Sequence, residues 1–390
     1  MSVRVDSNLL TELKKYGDVK IESCFNCGNC TAICQLSTEE INFPRKMNRF
    51  AQLGLRDNLL SSKELWLCDY CGECSTTCPR QADPGEYMAS ARRYAIAAYD
   101  PTGLAKMLYT SPIFSIAFLI ILAVVIGAFF LSFSGTMPMD KVNLFSFIPS
   151  GLIHIVGIAV GIVIILAALA GMISMIRRTI TGLGYPKGTR FDWVGAIWKA
   201  FGQEVLGQLH YRQDCETEGP VKPWYTQKWF AHGSMLWGFL GLFIATALDY
   251  LLELVHMKAT GTWVPLWYPT RLLGTIAGIF LLYGTSTIFI RRLRKDDTSY
   301  EKSSISDWAF LTLMWLAGVT GFILELIDYL PPTGVSYWIF LAHLVVVGEL
   351  LLLAPFSKFA HAIYRSIALY LWALKPSTDK EQAASAAPAD

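Results

Sequence analysis

Charged residues are scarce in this chain. Asp, Glu, Lys and Arg make up 16% of its 390 residues and hydrophobic residues make up 53%, whereas a soluble globular protein carries about 25% charged residues. The shortage falls beyond residue 110, where long apolar runs alternate with basic loops. This pattern excludes a chain that is soluble throughout. It predicts a soluble part, residues 1–110, followed by a membrane part, residues 111–373.

Several other signals are missing. The formal net charge is only +2 and no base-reading motif occurs, so we expect no nucleic-acid partner. The amino-terminal residues lack the apolar stretch of a secretory signal, so we expect no cleaved signal peptide. The last residues, 374–390, are small and polar and predict a disordered tail.

Cysteine is present in a highly ordered pattern. Eight of the nine cysteines form two copies of Cys-x2-Cys-x2-Cys-x3-Cys, which is the spacing of a two-cluster bacterial ferredoxin. In such proteins the fourth cysteine of each run binds the other cluster. The predicted ligands of one [4Fe–4S] cluster are Cys24, Cys27, Cys30 and Cys78. The predicted ligands of the other are Cys68, Cys71, Cys74 and Cys34.

Zinc and disulfides are the alternatives at these cysteines. Two Cys-x2-Cys pairs can hold zinc, but the third and fourth cysteines of each run favour clusters. Cys-x2-Cys repeats outside a secretory context are metal or cluster ligands more often than disulfides. The segment between the runs, residues 35–67, has helical periodicity, which favours an all-helical ferredoxin domain.

The membrane part contains six apolar runs of about 20 residues, the length needed to span a bilayer. They lie near residues 113–133, 151–176, 232–254, 272–290, 308–330 and 338–356. We therefore predict an all-α fold, with a helical two-cluster ferredoxin domain fused to a six-span helix bundle of the cytochrome b type. We expect the last span to continue as helix to about Ala373.

Basic residues predict the orientation of these spans. Lys and Arg cluster after spans two, four and six and are sparse in the opposite loops, so both termini and the cysteine domain are expected in the cytoplasm. The predicted location is the bacterial inner membrane. Within the long cytoplasmic loop, residues 177–231, apolar residues at helical spacing predict a helix on the membrane surface.

All six histidines lie beyond residue 150. On one continuous helix, His343 and His361 would face the same way about 27 Å apart, one near each membrane face. Ionisable residues inside a bilayer are usually functional, and paired imidazoles are axial haem ligands. We therefore predict two b haems, with His232 level with His361 and His154 level with His343.

Two other histidines leave these pairings open. His256 competes with His154 for the outer haem, and His210 competes more weakly with His232. His256 is also the candidate acceptor of quinol protons, because its ordinary pKa suits proton transfer near neutral pH.

The sequence resembles known families in both parts. Residues 343–361 (HLVVVGELLLLAPFSKFAH) and 229–239 (WFAHGSMLWGF) look like the ligand-bearing spans of nitrate reductase γ-subunits, which bind two b haems. Those proteins carry a second histidine about ten residues after the first, where this chain has Leu242, so the outer ligand must come from another span. The cysteine domain is similar to the heterodisulfide reductase C subunit.

The fusion of these two parts resembles the membrane subunits of the quinone-interacting oxidoreductases of sulfate-reducing bacteria. The resemblance implies menaquinol oxidation, with electrons passing through haems and clusters to cytoplasmic flavin and iron–sulfur subunits and on to adenylylsulfate reductase.

Three other functions remain open. The chain could be an anchor and electron wire whose quinone binds a neighbouring subunit. It could belong to a heterodisulfide or sulfite reductase complex that reduces quinone. It could also be a transporter or receptor with a redox-sensing domain, although transporters usually have Gly- and Pro-broken spans and polar residues at mid-membrane.

Overall fold

A computed structural model describes residues 4–37, 42–183, 192–214, 223–260, 262, 264–296, 298–327, 329 and 333–374. Within these ranges the chain forms helices and no β-strand, which confirms the predicted all-α fold. The tail predicted to be disordered lies outside the described residues, except for Leu374.

The amino-terminal part is built from short helices that precede the first apolar run. They are α1 (Leu9–Leu13), α2 (Asn29–Ile33), α3 (Arg45–Gln52), α4 (Arg56–Ser61), α5 (Glu64–Leu67), α6 (Glu73–Thr76), α7 (Pro84–Tyr99) and α8 (Leu104–Thr110). The longest of them, α7, begins where the Asp83 carboxylate accepts a hydrogen bond from the Glu86 N–H and Pro84 occupies the first helical position. Both features stabilise a helix start.

The remaining helices include all the long ones. They are α9 (Pro112–Ser132), α10 (Leu144–Phe147), α11 (Ser150–Leu183), α12 (Trp193–Ile197), α13 (Leu209–Asp214), α14 (Lys228–Leu254), α15 (Pro269–Arg294), α16 (Thr298–Glu301), α17 (Ile305–Ile327), α18 (Gly334–Leu353) and α19 (Ala360–Ala373).

Six of these helices are long and apolar enough to cross a membrane, as predicted. They are α9, α11, α14, α15, α17 and α18. At most 33% of the most apolar stretch of any of them is buried. Their exposed surface is rich in Ile, Leu, Val and Phe, which is the surface that a bilayer, rather than water, would cover.

The helices group into two compact units. We call the first the cysteine unit; it comprises Met1–Pro101, Ala170–Thr217 and Ala360–Asp390. The second, the membrane unit, comprises Thr102–Leu169 and Glu218–Phe359. The cysteine unit therefore includes α12, α13 and α19 in addition to α1–α7. The sequence-based division at residue 110 stays a prediction.

The expectation that span six continues unbroken to Ala373 is wrong. Helix α18 ends at Leu353 and α19 begins at Ala360. Pro355 has no N–H to donate to the Leu351 carbonyl, which accepts from Ala354 instead. Since the helix is interrupted, His343 and His361 do not lie on one continuous helix, and the argument that they face the same way fails.

The helix predicted in the long loop is present, but only its first residues are α-helical. Residues Trp198–Leu206 continue α12 as a π-helix. Ala196 and Ala200 are buried, whereas Val194 and Trp198 are 78% and 67% exposed. An apolar face left exposed on a short helix is typical of helices that lie on a membrane surface.

Candidate iron–sulfur and histidine sites

The two cysteine runs fold into two copies of one loop. In the first copy Asn26 has a left-handed backbone, φ 64°, and its N–H donates to Cys24 Sγ at 3.4 Å. In the second copy Tyr70, φ 59°, donates in the same way to Cys68 Sγ at 3.4 Å. N–H groups directed at sulfur are one of the features that set the potential of an iron–sulfur cluster.

A glycine at the same place in each run allows this loop to turn. Gly28 and Gly72 have φ values of 92° and 91° and immediately precede α2 and α6. A side chain is strained in this region of backbone space, whereas glycine enters it freely. Helices α2 and α6 pack together, and Asn29 Nδ2 donates to the Thr77 carbonyl at 2.6 Å, so the two loops lie side by side.

The thiol of Cys30 lies within electrostatic reach of three other cysteines. Burial raises its pKa, and the negative charges of the Cys24, Cys27 and Cys78 thiolates raise it further. Three of these cysteines belong to the first run and one, Cys78, to the second. This is the membership predicted for one of the two clusters.

The thiol of Cys74 has a corresponding environment. Burial raises its pKa well above the ordinary value, with further contributions from the thiolates of Cys68, Cys71, Cys34 and, last, Cys30. The first three are the predicted co-ligands of Cys74, and the fourth shows that the two groups of thiols are neighbours.

These groups of thiols fit iron–sulfur clusters. Buried thiolates repel one another, and bound iron supplies the positive charge that holds them together. Within the described ranges no three His, Cys, Asp or Glu side chains are close enough to hold a single metal ion. A cluster on each group would supply one-electron transfer. The two ligand sets stay predictions, which the electrostatic grouping supports.

Arg365 of helix α19 binds the second cysteine loop. Its Nη1 donates to the carbonyls of Trp66, Leu67 and Cys68 at 3.2, 3.3 and 3.1 Å. Its Nη2 forms an ion pair with Asp69, whose side chain is 4% exposed. Several donors of one guanidinium on one loop fix its position more firmly than a single hydrogen bond.

Aromatic rings add a second contact between α19 and this region. Tyr364 packs against Trp66 and Tyr99, with ring centroids 5.3 and 5.2 Å apart. His361, a predicted haem ligand, stands one turn before Arg365 on the same face of α19. The cysteine unit therefore contains the second cysteine loop, the arginine that binds it and one candidate haem ligand.

His343 lies in the middle of α18, nine residues after its start and thus about 13 Å along the helix. Its Nδ1 is 2.8 Å from Thr320 Oγ1, and that hydroxyl donates to the Leu316 carbonyl at 2.7 Å. Because the hydroxyl has one proton, it accepts from His343 Nδ1–H. Nε2 then keeps its lone pair, as an axial haem ligand requires.

His154 is placed differently. Its Nε2 is 3.7 Å from Glu253 Oε2, and its ring packs edge-on against Tyr250 with centroids 4.7 Å apart. The nitrogen that would bind iron therefore faces a carboxylate of α14. The role of His154 as an axial haem ligand stays a prediction, and the same arrangement also allows proton exchange between an imidazole and a carboxylate.

His256, the candidate proton acceptor, lies in the turn after α14, where its φ of 59° is left-handed. Its side chain is exposed and makes no hydrogen bond or ion pair with other described residues. The charged residues near it in the sequence pair with one another. Lys258 Nζ is 2.7 Å from Asp249 and 4.0 Å from Glu253, and Asp249 also accepts from the Thr270 hydroxyl at 2.8 Å.

The remaining histidines lie on three helices. His232 is the fifth residue of α14 and is partly buried in the membrane unit. His361 is the second residue of α19 and is partly buried in the cysteine unit. His210 lies in α13, and its side chain is outside the described structure.

Sequence reasoning missed Glu349. This residue of α18 is 6% exposed, and its Oε1 has no hydrogen-bond partner in the described part of the chain. The sequence signal was available, since Glu349 is the one carboxylate in the apolar run of the sixth span. A buried carboxyl in a membrane helix is usually functional.

Comparison with known proteins identifies both parts of the chain. Residues 111–385 match the family described as citrate utilization protein B, and residues 20–82 match the 4Fe–4S dicluster domain. The chain belongs to the citrate utilization protein B family. The Escherichia coli citrate utilization protein B is 33% identical over 113 residues, 28% of each chain.

The cysteine-rich region has relatives of its own. The C subunit of the H2:CoB-CoM heterodisulfide,ferredoxin reductase of Methanothermobacter thermautotrophicus is 32% identical over 94 residues, 24% of this chain and 51% of that protein. An Archaeoglobus profundus protein described as similar to the heterodisulfide reductase C subunit is 34% identical over 101 residues, 24% and 54% of the two chains. The chain thus spans about half the length of these relatives. No solved structure matches.

These comparisons confirm the resemblance of the cysteine domain to heterodisulfide reductase C subunits and the prediction of an iron–sulfur domain. The more specific resemblance of the whole chain to quinone-interacting oxidoreductase subunits stays a prediction.

Proposed function

We propose that this chain is the membrane electron-transfer subunit of a quinone-linked oxidoreductase in the bacterial inner membrane. It oxidises menaquinol and carries electrons through two b haems and two [4Fe–4S] clusters. The electrons leave to cytoplasmic flavin and iron–sulfur subunits and, in sulfate reduction, reach adenylylsulfate reductase. Each menaquinol gives up two electrons and two protons, and the protons leave through side chains of the membrane unit.

The observation that carries this proposal is the attachment of α19 to the second cysteine loop. Arg365 binds three consecutive carbonyls of that loop, and His361 stands one turn away on the same helix. A helix that only tethers a soluble domain has no need of an imidazole beside the cluster loop. A helix that delivers electrons to that loop does need an imidazole there, because the imidazole can bind a haem.

His343 supports a haem in the membrane unit. The Thr320 hydroxyl holds its Nδ1 proton and leaves Nε2 to bind iron. We assign His343, His232 and His361 as haem ligands. A haem held by such residues would accept and donate single electrons, and the apolar helices of the membrane unit would keep water from it.

The proton acceptor of the quinol site is the pair His154–Glu253 in this proposal, rather than His256. The pair joins α11 to α14, and Lys258 stands 4.0 Å from Glu253. An imidazole beside a carboxylate can accept a proton and pass it on to solvent. The side chain of His256 is exposed and bonds to neither residue of the pair, so His256 takes no part in this proposal.

The family match supports a second version of the same function. Electron transfer through the clusters would then serve citrate utilisation rather than sulfate reduction. The chemistry of the membrane subunit is unchanged, and only the soluble partner differs. Identification of the proteins that co-purify with the chain separates the two versions.

The proposal is tested by anaerobic purification of the full chain with its co-purifying subunits, followed by iron, haem and quinone analysis. We expect eight iron atoms in clusters, since each [4Fe–4S] cluster holds four, together with a b-type haem spectrum and bound flavin subunits. Iron without haem would indicate that the chain is a redox-sensing iron–sulfur domain on a membrane anchor. A preparation without either group contradicts the proposal.

A further inference from the structure

The two cysteine loops differ in the side chain that clamps their backbone. In the first loop Gln52 Nε2 donates to the carbonyl of Cys24 at 2.6 Å and to that of Ile21 at 3.1 Å. Ile21 lies three residues before Cys24. A neutral amide thus joins the first cysteine of the run to the preceding turn.

In the second loop Arg92 takes the same place. Its Nε donates to the Leu65 carbonyl at 2.9 Å, and its Nη2 donates to the carbonyl of Cys68. Leu65 lies three residues before Cys68, as Ile21 does before Cys24. The same pair of carbonyls is therefore bound by a neutral group in one loop and by a permanent positive charge in the other.

Other charges near the second loop largely balance each other. Arg365 binds the same Cys68 carbonyl but is paired with Asp69, and Glu204 adds negative charge beside it. The hydrogen bonds of Arg92 go to main-chain carbonyls. Beside the first loop the cations are exposed: Arg45 bonds to Asn26 Oδ1 at 2.9 Å, and Arg80 bonds to the Ser23 carbonyl at 3.5 Å.

We propose that Gln52 and Arg92, at equivalent positions, separate the reduction potentials of the two clusters, and that the cluster on Cys68, Cys71 and Cys74 has the higher potential. This inference rests on the proposed function, because it requires both clusters. Reduction adds one electron, and a nearby positive charge stabilises the reduced state more than a neutral amide does. The solvent screens the exposed Arg45 much more strongly.

The higher potential places the electron first on the cluster beside α19. That cluster would then receive electrons from the side that carries His361. It would stay reduced until a soluble partner oxidised the other cluster. Cys27 and Phe25 of the first loop are exposed, Phe25 by 60%, so the lower-potential cluster is the one that a soluble partner can approach.

The test is a side-chain exchange in the full chain, followed by an EPR-monitored redox titration that resolves the two cluster midpoints. We expect Arg92→Gln to lower one midpoint, with about a tenfold fall in the equilibrium constant for reduction, which is about 59 mV for a one-electron couple. Gln52→Arg should raise the other midpoint by a similar factor. Arg92→Lys, which keeps the charge, should leave both midpoints close to those of the unchanged chain.

Three results overturn the inference. They are an unchanged midpoint in Arg92→Gln with full iron content, an equal shift of both midpoints in either variant, and the same fall in Arg92→Lys as in Arg92→Gln. If Arg92→Gln loses its clusters, Gln52→Arg and Arg92→Lys still decide the question. An unchanged chain that binds no iron would instead reject the proposed function.

Discussion

The cysteines and the histidines of this chain are positioned in different ways. The shape of each cysteine run is set by its own backbone. In both copies the residues at the same positions are left-handed, and an N–H at the same position donates to the sulfur of the first cysteine. Two histidines of the membrane unit contact side chains from other helices, His343 with Thr320 and His154 with Glu253. Local backbone geometry can be read from one short motif, whereas a partner on a distant helix cannot.

This difference explains what could be predicted from the sequence. The cysteine spacing, the six apolar runs and the helical class all follow local rules, and the structure and the family matches confirm them. His154 lies beside Glu253, a residue about a hundred positions away in the sequence, and no periodicity reports that contact. The break after α18 has a local signal in Pro355, and Glu349 has one in its isolation among apolar residues.

Removal of one cysteine should give the largest effect and should test whether the two runs share ligands. We expect Cys78→Ser to damage the cluster built on Cys24, Cys27 and Cys30, even though Cys78 belongs to the second run. Cys34→Ser should damage the other cluster instead. Iron analysis and EPR of both variants decide this. If each substitution damages only the cluster built on its own run, the two runs do not share ligands.

Removal of one histidine should affect a single haem. His343→Ala is expected to lose one haem and keep the other, as judged by the haem-to-protein ratio. Thr320→Val should keep His343 but lose the proton acceptor at Nδ1, which we expect to weaken haem retention by about 10-fold or more. Thr320→Ser keeps the hydroxyl and serves as the control. Equal haem content in all three variants would show that His343 is not a ligand.

Changes at the His154–Glu253 pair should slow the chemistry without removing any cofactor. We expect Glu253→Gln to lower the rate of quinol oxidation by about 100-fold, which is a typical contribution of a proton-accepting group. His256→Ala, with the same haem and iron content, should keep the rate of the unchanged chain. The reverse order of effects, measured by quinol-driven haem reduction, would return the role of proton acceptor to His256.

A glycine of the cysteine loop should give the smallest effect. Gly28 has a φ of 92°, and an added Cβ would meet only Arg45, at an ordinary contact distance of 3.6 Å. Gly28→Ala should therefore cost about 1 kcal/mol through backbone strain alone. Gly54→Ala is the comparison, because its Cβ would meet the Asp6 carbonyl oxygen at 2.3 Å and should cost more. The thermal loss of cluster absorbance measures both changes.

The central claim is that one chain carries electrons between quinol in the bilayer and clusters in the cytoplasm. Its most direct test is to add a menaquinol analogue anaerobically to the purified full chain in lipid nanodiscs and to follow haem absorbance and cluster EPR together. We predict that the haem is reduced first and the cluster on Cys68, Cys71 and Cys74 second. Without quinol, neither the haem absorbance nor the cluster EPR signal should change. Haem and clusters that are both present, yet stay oxidised in excess quinol, would contradict the account.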